Sequence, residues 1–212
     1  MGETTIDSLL DKAFDDLEID EKNRTSVKAY LQIVRNRDEE TYEHSVRVAL
    51  KGMEVAELLE LDPKALFYAG CLHDVGKAET DPDSLKKKKG FNDKDKKELK
   101  KHPLAGYRML RGIHDFSAEI LKSHHVYQKD GYPKNMPKSK VEFSKGTEVM
   151  IAYYSRLLGL IDFYDAMSHR KNDKFSPGKP RLPTKEEGKK ILLDANKDQE
   201  RLINSLYDKG IF

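Results

Sequence analysis

The sequence is rich in side chains that bind metal ions through nitrogen and oxygen. Seven of its 212 residues are histidines, whereas Cys71 is its single cysteine. Imidazole and carboxylate ligands without thiolates are typical of sites for Fe, Mn and other first-row divalent ions. More than four such ligands predict more than one ion. The candidate ligands are Glu40, His44, His73, Asp74, His102, His124, His125 and Asp162.

Asp162 is the most diagnostic of the acids. It follows the apolar run from Leu157 to Ile161, where an unpaired carboxylate would be costly. Glu40 and His44 are four residues apart and share a helix face, although the spacing taken alone favours a solvated surface pair. Three other residues have no telling partner and are interpreted as structural or as bystanders, namely His114, Asp165 and His169.

Asp74 directly follows His73, just before Gly76 and Lys77. A plain alternative is that Asp74 caps the turn and Lys77 meets the negative end of the preceding helix. A carboxylate beside a histidine ligand can also bridge two metal ions. A bridged pair of ions would share a water or hydroxide that serves as a nucleophile at neutral pH.

Hydrophobic spacing predicts that helices position these residues. Two short helices are expected within residues 1–37, and Asp38 is the expected N-cap of a helix that runs to about Leu61. Asp62-Pro63 should begin a helix that ends at Gly76. Later helices are expected near Asp93, from His102, from Phe116 to His125, from Thr147 to about Ser168, and after the capping box of Thr184 with Glu187.

The predicted fold is a single all-α domain, a compact helical bundle with long loops near residues 78–92, 126–146 and 170–183. Within it, residues 1–37 would pack on a catalytic unit formed by residues 38–212. No apolar run approaches the roughly 18 residues of a membrane span, so we expect no membrane partner. The lone cysteine excludes a disulfide scaffold, and with no leader segment it favours the cytoplasm.

Charged residues make up 36% of the chain, yet the net charge is only +2. Nine lysines between Lys86 and Lys101 could form an electropositive rim for an anionic nucleotide, or simply a solvated face. We expect a small anionic nucleotide as the partner rather than a nucleic-acid polymer. The sequence leaves the oligomeric state open.

The order of the motifs resembles that of the HD superfamily of metal-dependent phosphohydrolases. The matching segments are His44, His73-Asp74-Val75-Gly76-Lys77, His102-Pro103-Leu104-Ala105-Gly106, His124-His125 and Asp162-Phe163-Tyr164-Asp165-Ala166. With Lys129-Asp130-Gly131-Tyr132-Pro133 they are similar to the HD-GYP branch, whose members hydrolyse cyclic dinucleotides, chiefly cyclic di-GMP. The resemblance covers about residues 38–169 and implies an all-helical fold.

The resemblance also implies a role for each matching residue. A first ion would be held by His44, His73, Asp74 and Asp162, with Asp74 bridging to a second ion held by His102, His124 and His125. Glu40 matches an acidic position that helps to hold a third ion in some members. Lys77 would contact the scissile phosphate. Tyr132 would pack against a nucleobase or, equally, cover the edge of the core.

The loop after His125 departs from the HD-GYP pattern. Val126 stands where an acidic residue is usual, and the loop is one residue shorter. The segment after Asp165 also lacks the usual Arg-Pro-Tyr stretch. These differences leave the metal ligands intact and put the exact substrate in question.

The resulting hypothesis is a phosphodiesterase that hydrolyses a cyclic dinucleotide by in-line attack of a metal-bridging hydroxide, with two or three Fe or Mn ions as cofactors. Three alternatives remain open. They are an HD-type nucleotidase or phosphomonoesterase, a di-iron oxygenase, and a nucleotide-binding module without catalysis. The histidines beyond the minimal ligand set favour the cyclic-dinucleotide branch.

Overall fold

A computed structural model describes residues 5–87, 90, 92–170 and 181–212. All regular structure in these residues is helical and no strand occurs among them, which confirms the all-α prediction. The α-helices are α1 (Ile6–Asp16), α2 (Glu21–Arg37), α3 (Glu39–Leu58), α4 (Pro63–Leu72), α5 (Pro82–Leu85), α6 (Asp93–Leu99), α7 (His102–Leu110), α8 (Asp115–Leu121), α9 (Lys145–His169), α10 (Lys185–Ala195) and α11 (Glu200–Asp208), with 3₁₀ turns at Val75–Glu79 and Lys197–Gln199.

The predicted helix starts are confirmed where a capping side chain marks them. The Asp38 side chain accepts a hydrogen bond from the Thr41 amide and begins α3. Asp62 caps α4 with Pro63 at its first position. Thr184 and Glu187 form the expected capping box of α10. Each cap satisfies backbone amides that the first helical turn leaves without a partner.

Several helix ends differ from the prediction. The helix α4 ends at Leu72 rather than Gly76, and α8 ends at Leu121 rather than His125. In both cases the chain leaves the helix just before a histidine of the candidate site. A short helix, α5, also interrupts the predicted loop at 78–92, because Asp81 caps it and Pro82 favours its first turn.

Of the other two predicted loops, one is described in full and the other only in part. Residues 126–144 contain no helix, as predicted, and α9 begins at Lys145. Of the predicted loop at 170–183, residues 171–180 lie outside the described residues.

The core is built where α3, α4 and α9 pack together. The contact between α3 and α4 is close, since a Cβ on Gly70 would lie 2.5 Å from the Ala49 Cα. The helix α1 joins the same core through Phe14, whose ring meets that of Phe67 edge to face with centroids 5.3 Å apart. This packing fixes the helices from which the candidate ligands project.

On the other side of α9, the C-terminal residues are tied to the bundle. Arg156 of α9 makes paired hydrogen bonds to the Asp198 carboxylate, at 3.0 and 2.9 Å. None of the described helices combines the length and the apolar character that a membrane crossing requires.

Candidate metal centre

Four of the predicted ligands meet at one buried point. His44 projects from α3, His73 and Asp74 follow α4, and Asp162 lies on α9. The His44 Nε2 lies 3.0 Å from Asp162 Oδ1, 3.3 Å from His73 Nε2 and 3.6 Å from Asp74 Oδ2. Ligand atoms bound to one ion at about 2.1 Å stand about 3 Å apart in neighbouring positions. The four atoms therefore surround a space that fits one divalent ion.

A second group lies beside the first and consists of His102, His124 and His125. Their ligand atoms all lie within 4.8 Å of one another. The Nε2 atoms of His102 and His124 are buried and have no hydrogen-bond partner among the described residues. A buried ring nitrogen without a partner is costly unless a ligand satisfies it. Their bare lone pairs fit a second divalent ion.

Asp74 stands between the two groups. Its Oδ2 faces His44 and His73, whereas its Oδ1 lies 3.3 Å from the His102 Nε2. The same carboxylate forms a third, overlapping group with His73 and His124. One carboxylate that faces both sets of ligands has the geometry of a bridge between two ions.

The orientation of three of these rings is set by backbone carbonyls. A carbonyl oxygen only accepts hydrogen bonds, so the ring Nδ1 must carry the proton and the Nε2 is left free for a metal ion. The three carbonyls belong to the last turns of α4, α6 and α8, whose partial negative charge favours a cation. The pairs are His73 with Gly70 at 2.8 Å, His102 with Leu99 at 2.7 Å, and His124 with Leu121 at 2.5 Å.

His44 is oriented by a carboxylate instead. Its Nδ1 lies 2.6 Å from Asp165 Oδ2, so its Nε2 also points into the centre. Arg47 binds the same carboxylate at 2.9 and 3.1 Å, and the His169 Nδ1 lies 3.0 Å from it. Burial opposes ionisation of Asp165, but hydrogen bonds from His169, His44 and Arg47 outweigh it and hold its pKa well below the usual value.

Sequence reasoning missed this arrangement. Asp165 was interpreted as structural and His169 as a bystander, whereas both lie directly behind a candidate ligand. The available signals were Asp165 three residues after Asp162, and Arg47 three residues after His44. On a helix such spacings place side chains on the same face.

Burial sets the protonation of the second group. It lowers the pKa of His102 to about 3 and the pKa of His124 to about 4, and it holds that of His125 well below its usual value. These rings are therefore neutral at physiological pH, which is the form that binds metal ions.

The carboxylates are ionised for the opposite reason. Burial would raise their pKa, but nearby cations and hydrogen bonds outweigh it. His73 and Lys77 hold the pKa of Asp74 well below its usual value, and His44 does so for Asp162. The neutral imidazoles of the second group and the charged carboxylates are donors in the form that a divalent ion requires.

Two residues assigned to the substrate lie at the edge of the centre. The Lys77 Nζ is 2.5 Å from the Asp74 Oδ2, so its positive charge is next to the bridging carboxylate. The Tyr132 ring packs on that of His125 with centroids 4.5 Å apart and a tilt of 31°. The Lys100 Nζ lies over the Tyr132 ring, 5.4 Å from its centroid.

The remaining predicted ligand, Glu40, is not part of the three ligand groups. Its side chain is exposed, and its Oε1 lies 3.9 Å from the Arg170 Nε. His114, interpreted as a bystander, bonds Ser26 at 2.8 Å and likewise belongs to none of these groups.

Three cyclic di-GMP phosphodiesterases are similar to this chain in sequence. The chain is 33% identical over 150 residues to a cyclic di-GMP phosphodiesterase from Pseudomonas aeruginosa, covering 66% of this chain and 34% of the relative. For a cyclic di-GMP phosphodiesterase from Thermotoga maritima the identity is 31% over 144 residues, covering 64% and 36%. A cyclic di-GMP phosphodiesterase response regulator from Xanthomonas campestris is 26% identical over 159 residues, covering 71% and 39%.

The chain thus spans between a third and two-fifths of the length of these relatives. The family model described as the HD domain matches residues 41–167, which is more than half of the chain. The matched span contains both ligand groups, from His44 to Asp162. The chain belongs to the HD domain family.

Proposed function

We propose that this chain is a metal-dependent phosphohydrolase, and specifically a phosphodiesterase that hydrolyses a cyclic dinucleotide such as cyclic di-GMP. The observation that carries the proposal is the Asp74 carboxylate, which faces two groups of buried ligands at once. Its support from comparison is that three relatives bear the name of that activity.

The proposed cofactors are two divalent ions, Fe or Mn, held as the two ligand groups suggest. When bound, the ions would polarise the phosphate and lower the pKa of a water molecule that attacks it. Glu40 remains a proposed ligand of a third ion. To serve in that role it would have to turn from Arg170 towards His44, one helical turn away.

The side chains of the centre have distinct proposed tasks. Asp74 would hold the two positions at a fixed separation, and Lys77 beside it would neutralise charge on the phosphate. Tyr132 would bind the substrate at the rim. Burial raises the pKa of Tyr132 above its ordinary value, so its hydroxyl stays neutral and can donate a hydrogen bond.

A panel of substrates tests this assignment. Purified protein loaded with Mn or Fe is offered cyclic di-GMP, cyclic GMP-AMP, a simple phosphodiester and nucleoside monophosphates. We expect cleavage of a cyclic dinucleotide, and loss of that cleavage in Asp74→Ala. Release of phosphate from the monophosphates alone would favour a nucleotidase. Oxygen consumption without ester cleavage, or binding of the dinucleotide without turnover, would contradict the proposal.

A further inference from the structure

The two ligand groups differ in the hydrogen-bond partners of their histidine Nδ1 atoms, on the side of each ring away from the centre. In the group of His102 and His124, both rings donate to neutral backbone carbonyls. The third ring of that group, His125, has its Nδ1 2.8 Å from the Gln128 side-chain amide. In the other group, the His44 Nδ1 lies 2.6 Å from the Asp165 carboxylate, which Arg47 also binds.

A carboxylate behind a histidine ligand strengthens the ring as a donor to metal, because it stabilises positive charge that the ion draws from the imidazole. The group of His44 also contains the Asp162 carboxylate and one oxygen of Asp74, so it has one carboxylate more than the other group. The group of His102 offers neutral rings and shares the other Asp74 oxygen. Electrostatics therefore favours the first position over the second.

Arg47 holds Asp165 in the orientation that this support requires. Its guanidinium forms two hydrogen bonds to the carboxylate, at 2.9 and 3.1 Å, and a planar fork of this kind fixes a carboxylate in two directions. The Asp165 side chain is almost fully buried, whereas that of Arg47 is partly exposed. The pair thus links the ligand His44 to the outer face of α3.

We propose that the Arg47–Asp165 pair is a positioning device for His44 that makes the His44/His73/Asp162 position the tighter of the two metal positions, so that the ions load in order. This inference rests on the metal centre of the proposed function and is independent of the substrate. Loss of Arg47 removes two of the contacts that hold the Asp165 carboxylate, leaves those of His44 and His169, and thereby weakens the tighter position.

Calorimetric titration of the metal-free chain with Mn²⁺ tests the inference. The wild-type chain is expected to bind two ions in two resolved steps. Arg47→Met is expected to weaken the tighter step by about 10- to 100-fold and to leave the other step nearly unchanged. Arg47→Lys keeps the charge but loses the fork, so it should restore only part of the affinity.

A matched control exists on α9. Arg156 binds Asp198 in the same two-pronged manner, at 3.0 and 2.9 Å, but neither residue belongs to the ligand groups. Arg156→Met should lower the thermal stability and change neither binding step. Gln128→Ala is the complementary variant, since its amide nitrogen donates to the His125 Nδ1 in the other group and its loss should leave the tighter step unchanged.

The possible outcomes separate this inference from the proposed function. Two equal steps in the wild-type chain, or an unchanged tighter step in a folded Arg47→Met variant, would overturn the loading order and leave the function standing. No metal binding by the wild-type chain would overturn both. If Arg47→Met does not fold, Asp165→Asn removes the charge at constant size, and an unchanged tighter step in that variant would refute the inference.

Discussion

A histidine of this centre is a candidate metal ligand where a fixed acceptor receives a hydrogen bond from its Nδ1, because its Nε2 is then directed at the ion. The residue types could be predicted from the sequence, as His73 and His102 show. The acceptors could not, since the carbonyls of Gly70 and Leu99 become available only where a helix ends. Asp165 was missed for a related reason, because an acid one turn after Asp162 looks like an ordinary helix-surface residue.

Asp74→Ala is the sharpest variant at this scale. Because Asp74 faces both ligand groups, its loss is expected to reduce the bound metal from two ions to one or none per chain, and to lower hydrolysis by at least about a hundredfold. Elemental analysis and turnover measure the two effects. Asp93→Ala is a suitable control because that side chain is exposed, and two ions retained in Asp74→Ala would refute the bridge.

The metal-free protein should lose stability as the pH falls from 6.5 to about 4. The pKa of His102 is about 3 and that of His124 about 4 in the folded chain, against about 6.5 when unfolded. Below pH 6.5 these two histidines therefore bind protons in the unfolded chain but stay neutral in the folded chain. Each ring can remove at most about 1.4 kcal/mol per pH unit in this window.

Denaturant unfolding with a chelator present, at several pH values, measures this slope. His102→Gln should flatten it, since one of the three buried rings of the second group that resist protonation is gone. An equal slope in the variant and the wild-type chain would contradict the assignment. Acidic side chains contribute mainly below this window, because their ordinary pKa values lie near 4.

At the scale of the helices, the starts were more predictable than the ends. Asp38, Asp62 and Thr184 are capping residues whose chemistry is visible in the sequence. The end of α4 was placed too late because its apolar pattern runs on towards Gly76. The helix ends at Leu72 instead, and the Gly70 carbonyl in its last turn accepts a hydrogen bond from the His73 Nδ1.

A close contact between α9 and the backbone of His124 offers a test at this scale. A Cβ at Gly159 would lie 2.1 Å from the His124 carbonyl oxygen. Gly159→Ala should therefore push α9 away from the second ligand group, destabilise the fold by about 1–3 kcal/mol and weaken the second metal position. Thermal unfolding and Mn²⁺ titration measure these two effects.

Gly146→Ala is the matched control on the same helix. The nearest atom to a Cβ there is the Ser144 Oγ at 3.8 Å, so the added methyl group meets no obstacle. Its effect on stability should stay within about 1 kcal/mol, and metal binding should not change. A Gly159→Ala variant that behaves like this control would contradict the role of the close contact.

Across the whole molecule, the centre joins helices that are far apart in the chain. Its ligands span residues 44–162, and α1 and α2 share the core on which the centre rests. We propose that residues 38–212 form the catalytic unit and that residues 1–37 pack on it within a single domain. The all-α class followed from periodicity, whereas the meeting of five segments depends on packing that no local pattern encodes.

The positive charge that the lysine-rich segment presents at the surface is smaller than its sequence predicts. The lysine-rich segment predicted a possible electropositive rim, but Lys87, Lys96 and Lys101 pair with acids of the same segment, Asp95, Asp93 and Glu98. Part of the positive charge is thus neutralised locally. Among the lysines of this segment that the structure describes, Lys100 lies over Tyr132 at the edge of the centre.

Metal binding should stabilise the whole fold because it ties these helices together. Ions present at about 100 times their Kd add about 2.7 kcal/mol per site, which corresponds to a rise in Tm of about 5–10 °C for a chain of this size. A chelator removes both proposed ions, so it should lower the Tm of the wild-type chain by about 10–20 °C. The Tm of Asp74→Ala, which keeps one ion or none, should fall by no more than about half as much. Equal Tm values with and without chelator would argue against bound metal.

The most direct test of the central claim is a crystal structure of the metal-loaded protein with anomalous scattering from the ions. We predict two ions about 3.5–4 Å apart, with one Asp74 oxygen on each. His44, His73 and Asp162 should hold one ion, and His102, His124 and His125 the other. A single ion, or two ions with Asp74 bound to just one of them, would contradict the account.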